Sequence, residues 1–170
     1  GVTNLVTCIA DAFYDSVPIL ALTGQVQTDD INKEKKLRQT GFQETNVIDI
    51  MKSISKKASV LTETDNLYTK VCESFELTLS DRKGPVVIDL PMDVQKKEFK
   101  TASTETKKIE RPATKVTVIK DFKNKNRQLN KYLSKSKRPL ILAGNGIYLS
   151  DSVEGFRRFS NIANIPIVLS

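Results

Sequence analysis

Gly84-Pro85-Val86-Val87-Ile88-Asp89-Leu90-Pro91 decides the fold class. From Pro85 to Leu90 it reads as a short buried strand, and Pro91 stops it. Ile19-Leu20-Ala21-Leu22-Thr23 has the same continuous apolar character and is closed by Gly24. Strands without polar alternation are those covered on both faces, as in a parallel sheet. Lys56 to Leu61 supplies a third strand. Helical spacing fills the intervals. Leu5, Cys8, Ile9, Ala12 and Phe13 share one face, with Thr3 or Asn4 as cap and Pro18 as terminator. Residues 43–52 suggest a short helix with Val47, Ile48 and Met51 inward. Asp65 is placed to cap a helix whose inner face is Leu67, Val71, Phe75 and Leu79. Strand and helix thus alternate over residues 1–95, which predicts an α/β layer architecture, a parallel sheet flanked by helices.

Residues 25–41 are polar and charged, and read as a long loop with room for one helical turn. Loops of that length inside compact domains are uncommon unless functional or disordered. Residues 96–120 show no period and read as a linker. A second, Rossmann-like α/β unit begins at residue 121. It holds a basic helix over 121–134 (Phe122, Leu129 and Leu133 inward), a strand from Pro139 to Ala143, the turn Gly144-Asn145-Gly146, a helix from Asp151 to Ala163, and a strand from Ile165 to Leu169. Val153, Phe156, Phe159 and Ala163 are expected inward on the second helix.

Composition narrows the function classes. The chain has 170 residues, 39% hydrophobic and 28% charged, with a net charge of +7. That is a globular composition. No apolar run approaches the ~18 residues needed to cross a bilayer. No signal peptide opens the chain, so a cytoplasmic protein is expected. The absence of an initiator Met suggests that Gly1 is not the natural start. Residues 96–138 carry 15 Lys/Arg against 4 Asp/Glu, so the positive charge is confined to one stretch. Only Phe122 and Tyr132 follow Phe99 there as aromatics, too few for a stacking platform. A solvated linker and helix face, without nucleic acid, is the reading adopted. The two cysteines, Cys8 and Cys72, lack metal-site spacing, and there is no His. A zinc site or Cys–His nucleophile is not expected, and both thiols read as buried.

The chemistry-bearing candidates are few. Gly144-Asn145-Gly146 between strand and helix suits backbone approach to a phosphate, but Leu149 breaks the full GxGxxG pattern, and a plain strand-to-helix turn is the favoured reading. Asp151 and Glu154 have capping-box spacing. Arg82, before a buried strand, can pair with phosphate or act as a helix C-terminal cation. Phe42-Gln43-Glu44 can line a pocket or simply start a helix; Glu44 has no visible partner. Lys56 can bind an anion or be a surface Lys.

Together these pieces carry a resemblance. Gly1-Val2-Thr3-Asn4-Leu5-Val6-Thr7 resembles the end of a GPGATNLVTG motif, and residues 10–18 an ADAxxDSVP motif. Residues 22–26 resemble ITGQV, residues 41–45 AFQET, residues 53–56 SITK, and residues 84–91 GPVLIDIP. Residues 139–146 resemble the start of a central domain. The chain therefore resembles the large catalytic subunit of acetolactate synthase, a thiamine diphosphate-dependent family, over residues 1–95 and 137–170.

The resemblance implies a fragment: 1–95 as the second half of a pyrimidine-binding domain, 96–120 as a linker, and 121–170 as the start of a central domain. The cofactors implied are thiamine diphosphate, Mg2+ with its ligands outside this chain, and FAD. No catalytic residue is implied within the chain; the activating Glu is expected upstream. Thr3 and Asn4 would sit near the aminopyrimidine, and Phe42, Gln43 and Lys56 in the substrate pocket of a neighbouring subunit. Arg82, Gly144, Asn145 and Gly146 would contact FAD. The implied partners are a small 2-oxo acid and further copies of the chain, as dimer or tetramer. Leu5 to Phe13 would form an apolar face left open for such a copy.

Three departures from the family pattern qualify this. The loop between Val26 and Phe42 is longer, Gln27 replaces a Pro, and Met92 stands where the synthases carry a Lys. Leu37-Arg38-Gln39 is similar to paralogues found with sugar-biosynthesis enzymes. A keto-sugar acceptor, a 2-oxo acid decarboxylase and a non-catalytic α/β module remain the alternatives.

Overall fold

In the computed structural model, the residues described are 1–32, 34, 37–62, 66–98 and 121–170. The chain divides into two compact units, Gly1–Ala113 and Thr114–Ser170.

The first unit is built on three parallel strands, β1 (Leu20–Gln25), β2 (Lys57–Val60) and β3 (Val86–Pro91), in the order β1-β3-β2. β3 is central. Val86 pairs with Leu20 on one side and Lys57 on the other, and Asp89 with Thr23 and Val60. A central strand must be apolar on both faces, as the Val86-Val87-Ile88 run is. Val87 faces one core with Val2, Ile9, Val47 and Met51, beneath α1 (Val6–Tyr14) and α2 (Val47–Met51). Ile88 faces the other with Leu61 and Val94, beneath α3 (Leu67–Leu79) and α4 (Met92–Gln95). The α/β reading with a parallel sheet between helices is therefore correct. The turn foreseen in the long loop is a 3-10 turn at Thr28–Asp30.

Several local expectations are corrected. Thr3 and Asn4 lie within a 3-10 turn, Val2–Leu5, and neither caps α1 by side chain. Asp65 falls outside the described residues; Asn66 caps α3, its side chain accepting from the Thr69 amide at 3.1 Å. On α3, Leu67 and Val71 pack on the core as expected, but the row continues through buried Ser74 and Thr78, and Phe75 is 38% exposed. Small residues let that helix end sit close to the sheet, and the bulkier Phe75 turns outward. Neither thiol is buried: Cys8 is exposed and Cys72 half-buried, because Ile9 and Ala12 take the inward positions of α1. Leu5 and Val6 pack on the core, so Leu5 to Phe13 is not an open apolar face. Pro91 does not merely stop the strand. It pairs with Gln25 as the last residue of β3, and α4 begins at once.

The second unit pairs β4 (Ile141–Ala143) with β5 (Ile167–Leu169) in parallel, with α5 (Phe122–Lys135), α6 (Gly146–Leu149) and α7 (Val153–Ala163). Phe122, Leu129 and Phe159, expected inward, are exposed, although the Phe159 ring still meets Phe156. Asn164 ends α7 in the left-handed region. No side chain caps the N-terminus of α7, and Glu154 instead meets Arg157 at 2.7 Å.

Candidate active site

In an open parallel sheet, ligands bind outside the carboxyl ends of the strands. Here that edge carries a polar network. Asp89 is 1% exposed. Its carboxylate accepts from the Thr23 hydroxyl at 2.6 Å and from Gln25 Nε2 at 2.8 Å. Burial pushes the Asp89 carboxyl up from its ordinary value, and the two donors pull it part of the way back. Gln25 Nε2 also donates to the Thr45 carbonyl at 2.7 Å, while Gln25 Oε1 accepts from the Val26 amide at 3.0 Å. The end of β1, the centre of β3 and the returning loop are thereby joined through one side chain.

Beyond Gln25 the loop is folded by carboxylates. Glu44 accepts from the amides of Thr40 (2.7 Å), Asn32 (2.7 Å) and Gly41 (3.4 Å). These bonds, Thr40's first, hold its carboxyl below the ordinary range, with burial opposing. Glu44 thus has partners, which sequence did not show. Asp93 accepts from the Thr28 amide and hydroxyl, both at 2.8 Å, and the hydroxyl lowers its carboxyl. Gly41 is buried, and a Cβ there would lie 3.0 Å from Asp30 Cβ and from Val26 Cγ2. What this scaffold presents is Phe42, 88% exposed, and Gln43, held at φ 64°. A non-glycine residue in that region is uncommon outside structurally constrained sites.

No family model matches the chain. Curated relatives do. It is 38% identical to an acetolactate synthase large subunit of Lactococcus lactis subsp. lactis, over 99% of the chain and 28% of that protein. It is 36% identical to acetolactate synthase 2, chloroplastic, of Brassica napus, over 98% and 25%. A probable acetolactate synthase large subunit of Methanocaldococcus jannaschii is 33% identical over 98% and 27%. Such matches over nearly the whole chain are those of a fragment of the acetolactate synthase large-subunit family. The chain spans about a quarter of the length of these relatives.

Against the acetolactate synthase pattern, the residues fall into three places. Phe42 and Gln43 stand on the carboxyl edge. Thr3 and Asn4 are exposed at the start of the first helical segment, where Val2 shares a core with Val47 at the head of α2. α1 ends beside the amino end of β1, so its start points towards the carboxyl edge. Lys56 and Arg82 occupy the amino edge instead, removed from Phe42 by the length of the sheet, roughly 15 Å at the rise of a strand. Lys56 Nζ donates to the carbonyls of Leu77 and Ser80, both at 2.6 Å, and to Ser80 Oγ at 3.1 Å, closing the C-terminus of α3. Desolvation lowers its ammonium, and the charge of Asp81 opposes that. Its stem lies 3.2 Å from where a Gly84 Cβ would be, which is why a glycine stands there. Arg82 donates from Nε to Ser16 Oγ at 2.8 Å and from Nη2 to the Tyr14 carbonyl at 3.2 Å, at the end of α1.

Gly144, Asn145 and Gly146 lie in the second unit. All three are exposed, and Asn145 is helical, so the expected turn is the entry to α6. A Cβ at Gly146 would meet nothing within 4 Å; one at Gly144 would touch Ser170 Oγ at 3.3 Å. An open apolar depression of about 380 Å³ adjoins Gly146, between Ile147, Gly155, Phe156 and Phe159. Among the described residues, no group of three His, Cys, Asp or Glu side chains converges as a metal site, and no helix is long and apolar enough to cross a membrane.

Thr23, Gln25 and Asp89 are the residues that sequence reasoning passed over. The available signal was an Asp inside an otherwise apolar buried strand, which demands a donor.

Proposed function

We propose that this chain is part of an acetolactate synthase-like, thiamine diphosphate-dependent carboligase, which decarboxylates a 2-oxo acid such as pyruvate and transfers the two-carbon unit to an acceptor. The observation that carries the reading is identity of 36–38% to two acetolactate synthases, sustained over 98–99% of the chain. On this reading residues 1–95 are the second half of the pyrimidine-binding domain, and residues 121–170 open the central domain.

The fit to the cofactor is that of an edge contribution. No buried side-chain nitrogen or oxygen among the described residues lacks a partner, so none waits inside the core for a group to arrive. The residues left to face one are exposed: Thr3, Asn4, Phe42 and Gln43. Thiamine diphosphate, with Mg2+, supplies the carbanion chemistry when bound. Thr3 and Asn4 would line its aminopyrimidine end with a hydroxyl and an amide. Phe42 would place an apolar wall against the 2-oxo acid and exclude water, and Gln43 would offer an amide to its carboxylate. Arg82 has donors beyond the two in use to meet an FAD phosphate, and Gly144, Asn145 and Gly146 an open backbone. The Mg2+ ligands and the activating carboxylate would come from elsewhere in the protein, which would work as a cytoplasmic homo-oligomer.

A second reading, transfer to a keto-sugar acceptor, is favoured by Met92. It stands exposed at the head of α4, its amide 3.4 Å from the Val26 carbonyl, at the position where the synthases carry a Lys. The test is turnover of the intact protein with pyruvate and a panel of 2-oxo acid and keto-sugar acceptors. Consumption of pyruvate dependent on thiamine diphosphate and weakened by Phe42→Ala is expected. No consumption with any acceptor overturns the proposal. The 170-residue chain alone is expected to bind thiamine diphosphate poorly, since a fraction of the contacts does not offset the cost of association; micromolar binding by calorimetry would contradict this.

A further inference from the structure

We propose that Gln25 is a positioning residue for the Phe42–Gln43 tip. The inference rests on the reading of that tip as a substrate wall, but its geometry stands independently. Every polar atom of the Gln25 amide is engaged across three segments: Asp89 on β3, Thr45 behind the tip, and Val26 leading into the loop. Only a neutral amide of this length meets that demand. It must donate twice, once to a carboxylate and once to a carbonyl, and accept once. A Glu would set a second carboxylate against buried Asp89; an Asn would fall short by one methylene; a Met would fill the space with no donor.

The tip's other bonds lie mostly within the loop, where Gly41 is buried beside Asp30 and Val26 and Gln39 Nε2 donates to the Glu44 carbonyl at 3.1 Å. Phe42 is exposed, Gln43 is in the left-handed region, and Glu44 ties the loop chiefly to its own amides. Gln25 to Thr45 is the side-chain bond that ties the tip to the buried sheet, with Asp89 as its anchor. Gln25 touches neither substrate nor cofactor in this account. It acts through Thr45.

Hydrogen exchange on the 170-residue chain tests the placement without reference to activity. In Gln25→Met, amides at Gly41 and Glu44 are expected to exchange about tenfold faster, the factor that one or two ordinary hydrogen bonds set. Val87 and Ile88 should keep their wild-type rates. Gln25→Asn, polar but short, should loosen the same amides. Unchanged tip amides in either variant overturn the proposal. So does acceleration of tip and core together, which would make Gln25 a sheet residue only. In the cofactor-loaded intact protein, Gln25→Met is expected to raise KM for the 2-oxo acid at least fivefold, with kcat within threefold. If Phe42→Ala leaves both constants unmoved, the substrate-wall reading fails. If Phe42→Ala moves them and Gln25→Met does not, the positioning role fails.

Discussion

Replacing Thr23 by Val probes the buried carboxylate directly. The two side chains have nearly the same volume, so the change removes a hydroxyl and leaves no cavity. Thr23 donates at 2.6 Å to Asp89, which is almost fully buried, and its only other acceptor is the Ile88 carbonyl at 3.5 Å. A hydrogen bond to a charged acceptor is worth about 1.5–3 kcal/mol, so a loss of about 2 kcal/mol is expected at pH 7. The loss must depend on pH. Burial already raises the folded pKa of Asp89 above its ordinary 3.8. A carboxyl shifted that way contributes its stability below the unfolded value, and loses it as pH rises through the folded value. Without Thr23 the folded value rises further, so the variant loses more over the same window. The penalty should therefore grow as pH rises from the acid side towards neutrality, as the buried carboxyl is asked to ionise without its donor. Urea-dependent hydrogen exchange of the 84–91 peptide reads the first unit by itself. A penalty that is flat between pH 4 and 7 would refute the reasoning and assign the loss to packing.

Three further outcomes follow from the same geometry. Met51→Ala empties a fully buried site beneath α2 and should cost about 2–5 kcal/mol in urea unfolding of the first unit. Gly41→Ala forces a Cβ against Asp30 and Val26 at 3.0 Å and should cost about 1–3 kcal/mol, read as loss of amide protection over residues 40–46. Glu44, whose folded pKa is depressed below 4.5, contributes stability above that value and loses it as pH falls through the folded one. Exchange at Thr40 and Gly41 should accelerate selectively in that acid window, and Glu44→Gln should remove the dependence.

The sheet was readable because a covered strand leaves a local trace. Val86-Val87-Ile88 and Leu20-Ala21-Leu22 are contiguous and apolar, and no partner need be known to recognise them. Helix faces were readable only where the sheet dictates them. Met51 and Val47 point inward as their spacing required, and so do Leu67 and Val71 of α3, whereas Phe75 gives way to Ser74 and Thr78 because close approach to the sheet favours small side chains. On α5 spacing set Phe122, Leu129 and Leu133 in one row, but only Leu133 is half-buried, and Phe122 and Leu129 are exposed. The site was least readable. Asp89 finds its donors 64 and 66 positions away, and Glu44 is satisfied by backbone amides that no side-chain pattern announces.

Lys56 and Arg82 look alike in sequence, each a cation beside a strand, yet their bonds leave them differently free. The Lys56 ammonium has three protons and meets three acceptors at the end of α3. To serve an incoming anion it must leave them, and the last carbonyls of a helix would lose a favourable cation. The Arg82 guanidinium carries five N–H donors in a planar fork. Two are committed, to Ser16 and Tyr14, and these fix the orientation of the plane. An anion can therefore be met by the remaining donors without releasing α1. Of the two, Arg82 can hold a helix end and still has donors to offer, while Lys56 must choose. Replacing each by Met makes the distinction measurable. Lys56→Met should lower the stability of the first unit and leave anion binding intact, whereas Arg82→Met should weaken both.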